Sequence, residues 1–218
     1  MSLGPLVAAR LERAQVQVGP DVLRRLCEYF TLLARWNRRI NLTSLPLEPP
    51  QDAAIDRLLV DPLRAVPFIA EGALTWIDIG SGGGSPAVPI KLMRPAARLT
   101  MTESRARKAA FLRECIRTLE LPSTTVFADR FETTASLPQF AGTFDLVTIR
   151  AVRIDEPIAE GVSSVLHEGG DLLLFGEDPG PLASDARFES VPLKASFVAG
   201  AQPPTIRLFR RQHVPRGT

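Results

Sequence analysis

A chain of 218 residues with 45% apolar and 23% charged side chains can bury one sizeable core and has the make-up of a soluble globular protein. Two cysteines, Cys27 and Cys115, and two histidines, His167 and His213, argue against a metal cluster or a histidine-based triad. The net charge of +2 hides an uneven layout: residues 1–40 carry seven arginines against three acids, and residues 207–218 carry four arginines and no acid. That layout suits a phosphate-backbone partner, or equally a solvated helix face with a loose tail.

Gly4, Pro5, Arg10 and Glu12 interrupt any secretory leader, and no apolar run reaches the roughly 18 residues of a membrane span. A cytoplasmic protein with reduced thiols is expected. Residues 1–45 read as helical. Val7, Leu11, Ala14 and Val18 form one apolar stripe, and Gly19-Pro20 breaks it. Asp21 is placed to cap a second helix, in which Val22, Leu26, Phe30, Leu33 and Ile40 recur at helical spacing. Pro46, Pro49 and Pro50 end that pattern, and a further helix is predicted from Asp52 to about Val66. Together residues 1–70 are expected to cap a core of residues 71–218 within one unit.

From Leu74 the period changes to short strands alternating with helices, which predicts a parallel sheet. Strands are expected at Leu74–Ile79, Arg98–Glu103, Thr125–Ala128, Phe144–Ile149 and Leu172–Phe175. Helices are expected near Ala87–Met93, Arg105–Leu119 and Pro157–Leu166, the last leading through Gly169-Gly170 into the fifth strand. Extended runs near Val191–Val198 and Thr205–Phe209 are predicted to pair as an antiparallel hairpin.

The first strand ends in Asp78-Ile79-Gly80-Ser81-Gly82-Gly83-Gly84-Ser85-Pro86. Glycines there let the backbone turn sharply and approach a ligand, with free N–H groups aimed into the turn. Asp78 is placed to fix the loop or to meet a cationic ligand group. Glu103, about twenty residues on at the end of the second strand, stands where a carboxylate receives ribose hydroxyls in nucleotide-binding βαβ units. Asp-x-Gly-x-Gly-x-Gly with this acid resembles the S-adenosyl-L-methionine motif of Rossmann-like methyltransferases more than a dehydrogenase fingerprint. A phosphate loop ending in Gly-Lys-Ser/Thr is absent.

Together with that stretch, Trp36-Asn37-Arg38-Arg39-Ile40-Asn41-Leu42-Thr43 resembles the RsmG family of small-subunit ribosomal RNA guanine-N7 methyltransferases, also called glucose-inhibited division protein B. The likeness continues through Val88-Pro89-Ile90, Arg94-Pro95, Glu103-Ser104, Lys108, Phe111-Leu112, Arg130-Phe131-Glu132 and Ile149-Arg150-Ala151, over residues 20–176. It implies an α/β, class I S-adenosylmethionine-dependent methyltransferase fold: a mostly parallel seven-stranded sheet with an N-terminal helical cap. It further implies methyl transfer to N7 of a guanine in 16S ribosomal RNA by a monomer that uses no metal and no membrane. The partner is ribosomal RNA or the small ribosomal subunit.

By the same resemblance Gly80, Ser85, Phe131, Glu132 and Arg150 fall at cofactor contacts, beside Asp78, Gly82, Gly84 and Glu103 of the loop and its partner acid. Phe131 is expected on the adenine face, with Glu132 at its polar edge. Arg150 is the candidate at the reaction centre, orienting a carboxylate, a phosphate or the base, or else forming a structural ion pair. Asn41 is a second catalytic candidate, holding Arg150 or a base, or else capping a helix; Trp36 either packs the helix on the core or stacks on a base. Guanine N7 carries a free lone pair, so no histidine base is required. Three places depart from the family pattern: Leu58 and Pro62 stand for a histidine and a serine, and Phe175-Gly176 lacks a lysine before the glycine. These departures leave open a relative acting on another RNA or a small molecule, or a silent binding protein.

Overall fold

The computed structural model describes residues 2–176, 178–193 and 206–213. Helix α1 (Leu3–Arg13) buries Val7 and Leu11 but stops before Ala14, and Gln15 turns the chain at φ 55°. Helix α2 (Pro20–Asn37) starts one residue earlier than the expected cap. Pro20 has no N–H to lose and its ring presets a helical φ, so it takes the first position, with Gly19 at the cap and Asp21 in the first turn. Leu26, Tyr29, Phe30 and Leu33 of α2 are buried, each worth roughly 1.5–3 kcal/mol of transfer out of water. A Leu33→Ala change at this face would cost on the order of 2–5 kcal/mol.

The third predicted helix is irregular. Helix α3 (Asp52–Ile55) opens into a π turn (Asp56–Val60) before α4 (Asp61–Arg64). Pro62 lacks the amide proton that would bond the carbonyl four residues back, and in the turn before it Asp61 N–H bonds Asp56, five residues back.

Beyond these, β1 (Thr75–Ile79), α5 (Ala87–Met93), β2 (Arg98–Thr102), α6 (Ala106–Thr118), β3 (Thr124–Phe127), α7 (Phe131–Ala135), β4 (Phe144–Arg150), α8 (Glu156–Val165), β5 (Leu166–Phe175), β6 (Phe188–Val191) and β7 (Ile206–Arg211) follow in order. The seven strands lie as β3-β2-β1-β4-β5-β7-β6. Neighbours from β3 to β5 are parallel, and β7 runs antiparallel to both β5 and β6. This is the α/β, Rossmann-like arrangement with a helical N-terminal cap.

Two strand boundaries moved for local reasons. β5 begins at Leu166, not Leu172, because Gly169-Gly170 forms an irregularity inside the strand: Phe144 pairs Leu166, then Leu146 pairs Asp171. The run expected near Val191–Val198 meets the observed β6 (Phe188–Val191) only at Val191: the strand starts three residues earlier and ends before Pro192, which cannot donate to a ladder. Residues 194–198 of the expected run, and Thr205 of the last strand, lie outside the described residues.

The sheet separates two cores. Trp76, Leu99, Met101, Leu146, Leu173 and Phe175 join α1 to α6 on one face. Ile77, Ile79, Val147, Ile149, Leu172 and Leu174 join α7 and α8 on the other. The alternation of side chains along each strand sets this division. Among the described residues no helix is long and apolar enough to cross a membrane.

Candidate functional site

At the carboxyl end of β1 the chain enters the glycine loop, beside the point where β1 has β2 on one side and β4 on the other. Crevices at such reversals of strand order are where open α/β sheets take ligands. Ser81 N–H bonds the Thr102 carbonyl (2.9 Å), and Gly84 N–H bonds Ser81 O (2.7 Å), folding the loop back on itself. Gly80 sits at φ 65°, and a Cβ there would come within 2.5 Å of Val152 Cγ2. Any other residue would strain the backbone there and have to displace Val152.

Glu103 holds the loop from the β2 side. Its Oε2 accepts Gly82 N–H at 3.0 Å and its Oε1 accepts Arg105 N–H at 2.8 Å, with the residue 7% exposed. Beside it opens a cavity of about 310 Å³, walled by Ile79, Gly80, Thr102, Glu103, Asp129, Phe131, Glu132, Val152 and Asp155 among others. Its size falls within the range of small-molecule sites. Glu103 is half-spent on N–H groups, yet a carboxylate has about four acceptor sites, so it can still take hydroxyl donors.

The loop's opposite side is covered by the cap. Tyr29 of α2, fully buried, donates its hydroxyl to Gly83 O at 2.6 Å. A Cβ on Gly83 would lie 3.3 Å from Leu33 and 3.4 Å from the Leu42 carbonyl, and one on Gly84 would lie 3.4 Å from Tyr29. Asn37 shapes the chain that reaches this point: its Oδ1 accepts Leu42 N–H (2.8 Å) and Thr43 N–H (3.0 Å), and its Nδ2 donates to Thr43 O (3.1 Å).

Beneath the loop on the same face lies a buried polar chain. Trp76 Nε1–H donates to Thr148 Oγ1 (2.9 Å), and Thr148 donates to Asp78 Oδ1. Asp78 is 1% exposed and its Oδ2 has no partner. Burial pushes its carboxyl up to about 6, against the pull of the Ser81 and Thr148 hydroxyls and the Arg150 charge. Arg150 Nη1 donates to Ser85 Oγ (2.9 Å), Ser85 donates to the Leu58 carbonyl (2.9 Å), and Arg150 stacks 5.8 Å from the Phe175 ring centroid. Burial, helped by the Arg57 charge, lowers Arg150 to about 10, while Asp61, 3.7 Å from Nη2, works the other way. Nη2 has no hydrogen-bond partner.

Of the residues anticipated for the cofactor, Gly80, Glu103, Phe131 and Glu132 line the cavity, and Gly82 is bonded to Glu103. Asp78, Gly84, Ser85 and Arg150 do not line it; they belong to the cap-side cluster. Asn41 does not hold Arg150. It is exposed on the loop that Asn37 organises, and Ser85 takes the guanidinium. Trp36 packs edge-on against Phe111 at 5.7 Å. Tyr29, Asn37 and Val152 were not anticipated as site residues: Tyr29 was lost among apolar neighbours in α2, and nothing local marks Val152. Several arginines of the basic ends pair with acids of this chain, among them Arg10 with Asp52 and Asp56, Arg24 with Asp21 and Glu28, Arg38 with Glu48 and Arg210 with Asp171.

The family model GidB, described as rRNA small subunit methyltransferase G, matches residues 22–178. The chain belongs to this family. Relatives named ribosomal RNA small subunit methyltransferase G include one from Xanthomonas axonopodis pv. citri (strain 306), 36% identical over 79% of this chain and 78% of its own length. Another, from Stenotrophomonas maltophilia (strain K279a), is 37% identical over 79% of this chain and 80% of its own. Among solved structures, HI0767 from Haemophilus influenzae, described as a putative methylase, overlaps 68% of the chain and 92% of its own with TM-score 0.51 at 19% identity. The [4+2]-cyclase SpnF overlaps 65% of this chain and 59% of its own, also with TM-score 0.51, at 22% identity. A cyclase on the same scaffold underlines that fold alone does not choose the reaction. Membership of the methyltransferase G family does, and this GidB-family chain is an S-adenosylmethionine-dependent methyltransferase of ribosomal RNA.

Proposed function

We propose that this methyltransferase modifies N7 of a guanine in the small-subunit ribosomal RNA, as a single cytoplasmic chain. One observation carries the choice of acceptor: both histidines lie away from the glycine loop. His167, near the start of β5, bonds Asp145 and the Glu168 carbonyl, and His213 pairs with Glu168. N7 is an unprotonated lone pair, so its attack requires alignment and no base.

The site's own residues fit a sulfonium nucleoside. Glu103 is held where it can accept two ribose hydroxyls, Phe131 offers an apolar wall and Glu132 an acceptor, and Gly80 lines the same cavity beside Val152. The unpartnered Asp78 Oδ2 adds negative potential under the loop. S-adenosylmethionine, when bound, supplies a methyl activated on sulfur. Arg150 is the group we place nearest the acceptor, its Nη2, which makes no hydrogen bond within the chain, orienting the base or a phosphate.

Incubation with labelled S-adenosylmethionine and small ribosomal subunits from a strain lacking the modification tests this. Label recovered as 7-methylguanosine is expected. Label in another nucleoside, or only in small molecules, would overturn it. The second outcome would agree with Leu58 and Pro62, which stand where the family pattern has a histidine and a serine.

A further inference from the structure

Ser85 has its two hydrogen-bonding capacities committed in opposite directions. Arginine can only donate, so the bond from Arg150 Nη1 (2.9 Å) occupies the hydroxyl oxygen as acceptor. The hydroxyl proton must then find an acceptor of its own, and it goes to the Leu58 carbonyl at 2.9 Å. In a regular helix that carbonyl would be bonded by the N–H of residue 62. Residue 62 is proline, which has none. The π turn and Pro62 together present a backbone carbonyl of a buried residue to a side chain across the cap interface.

We propose that Ser85 is a positioning residue: braced on the Leu58 carbonyl, which can take no N–H from Pro62, it holds the Arg150 guanidinium in one orientation at the end of β4. The remaining contacts agree. Phe175 supports one face of the guanidinium, and Asp61 stands 3.7 Å from Nη2, beyond a proper hydrogen bond. Nη2 is thereby buried with no hydrogen bond of its own, its charge balanced by Asp61 at 3.7 Å, which leaves a donor that a ligand's acceptor can take.

The idea rests on Arg150 acting at the reaction centre, so the test separates the two. Turnover on small subunits, S-adenosylhomocysteine affinity and melting temperature are measured for Ser85→Ala, Ser85→Thr, Pro62→Ala, Arg150→Ala and the Ser85→Ala/Arg150→Ala pair. Ser85→Ala should lower kcat about tenfold, the scale of a mis-set reacting group, with affinity for S-adenosylhomocysteine within about twofold of wild type. Ser85→Thr, which keeps the hydroxyl, should restore most of the rate. Pro62→Ala returns a competing N–H to Leu58 O and should lower kcat in the same direction, by less, since a carbonyl has two lone pairs. The double variant should be no slower than Arg150→Ala alone. An unchanged kcat in Ser85→Ala beside a large loss in Arg150→Ala would overturn the tether. So would a loss confined to S-adenosylhomocysteine affinity, which would mark Ser85 as a direct cofactor contact. Unchanged turnover in Arg150→Ala would instead refute the role of Arg150 itself.

Discussion

The two sides of the glycine loop differ in what they are for. Toward β2 and α7 the loop offers bare backbone to an open, carboxylate-lined cavity. Toward α2 the same loop is packed tight: Tyr29 bonds Gly83, and Leu33 and Leu42 crowd the space where a side chain would stand. Glycine therefore serves two needs within five residues. On the cavity side Gly80 admits Val152 against the loop where both line the cavity, and on the cap side glycine admits a helix. Residues that look alike in a motif are thus divided between cofactor and scaffold, and the division makes distinct predictions.

The strongest concerns Gly80. Valine there would be forced into a left-handed backbone, costing about 1–2 kcal/mol, and its Cβ would overlap Val152. S-adenosylhomocysteine affinity, read by calorimetry, should fall at least about 100-fold, while circular dichroism retains the α/β signature. Wild-type affinity would mean that the cavity is not the cofactor site.

Next comes the buried acid under the loop. A carboxyl raised to about 6 in the fold binds protons more readily folded than unfolded. Its contribution to stability is present at low pH and is lost as pH climbs from about 4 to about 6, up to about 3 kcal/mol in total. Denaturant melts of wild type and Asp78→Asn at pH 4, 5, 6 and 7 should therefore diverge across that window. Parallel curves would show that Asp78 is not raised.

Glu103→Ala removes the acceptor at the cavity side and should weaken S-adenosylhomocysteine roughly 10- to 100-fold, the scale of charge-assisted hydrogen bonds. Tyr29→Phe sharpens the contrast from the cap side. It leaves Gly83 O without its hydroxyl donor, and should cost about 1 kcal/mol and roughly 2–4 °C of melting temperature. Cofactor affinity should change far less than in Glu103→Ala. Equal losses of affinity in the two variants would mean that the loop's faces are not separate.

Much of the fold was legible because it follows from local rules. Strand formers ending in Asp78 and a glycine turn, then Val88 and Leu92 at helical spacing, specified a strand–loop–helix unit, and the observed β1 and α5 occupy it. The placement of Glu103 beside the loop followed from its position at the end of the next strand. The misplaced boundaries also have local causes: Pro20 started α2 early, Pro62 disrupted the run from Asp52, and the glycine pair at 169–170 became an irregularity inside β5.

The site was harder to read. Asn37 and Asn41 are both asparagines on one motif, and nothing in the order of residues says that the first ties the loop while the second faces solvent. Asp78, Ser85 and Arg150 were expected at the cofactor or the reaction centre, and they converge beneath the cap and not around the cavity.

Backbone freedom of glycine, the missing amide proton of proline and the period of apolar residues are properties of short stretches, so they dictated the elements and their succession from the order of residues alone. Which face of the loop each side chain serves depends on packing across long separations: Tyr29 meets Gly83 from 54 positions away, and Arg150 meets Ser85 from 65. Such pairings arise only once the cap has closed on the sheet, because burial, not adjacency, selects which donor finds which acceptor.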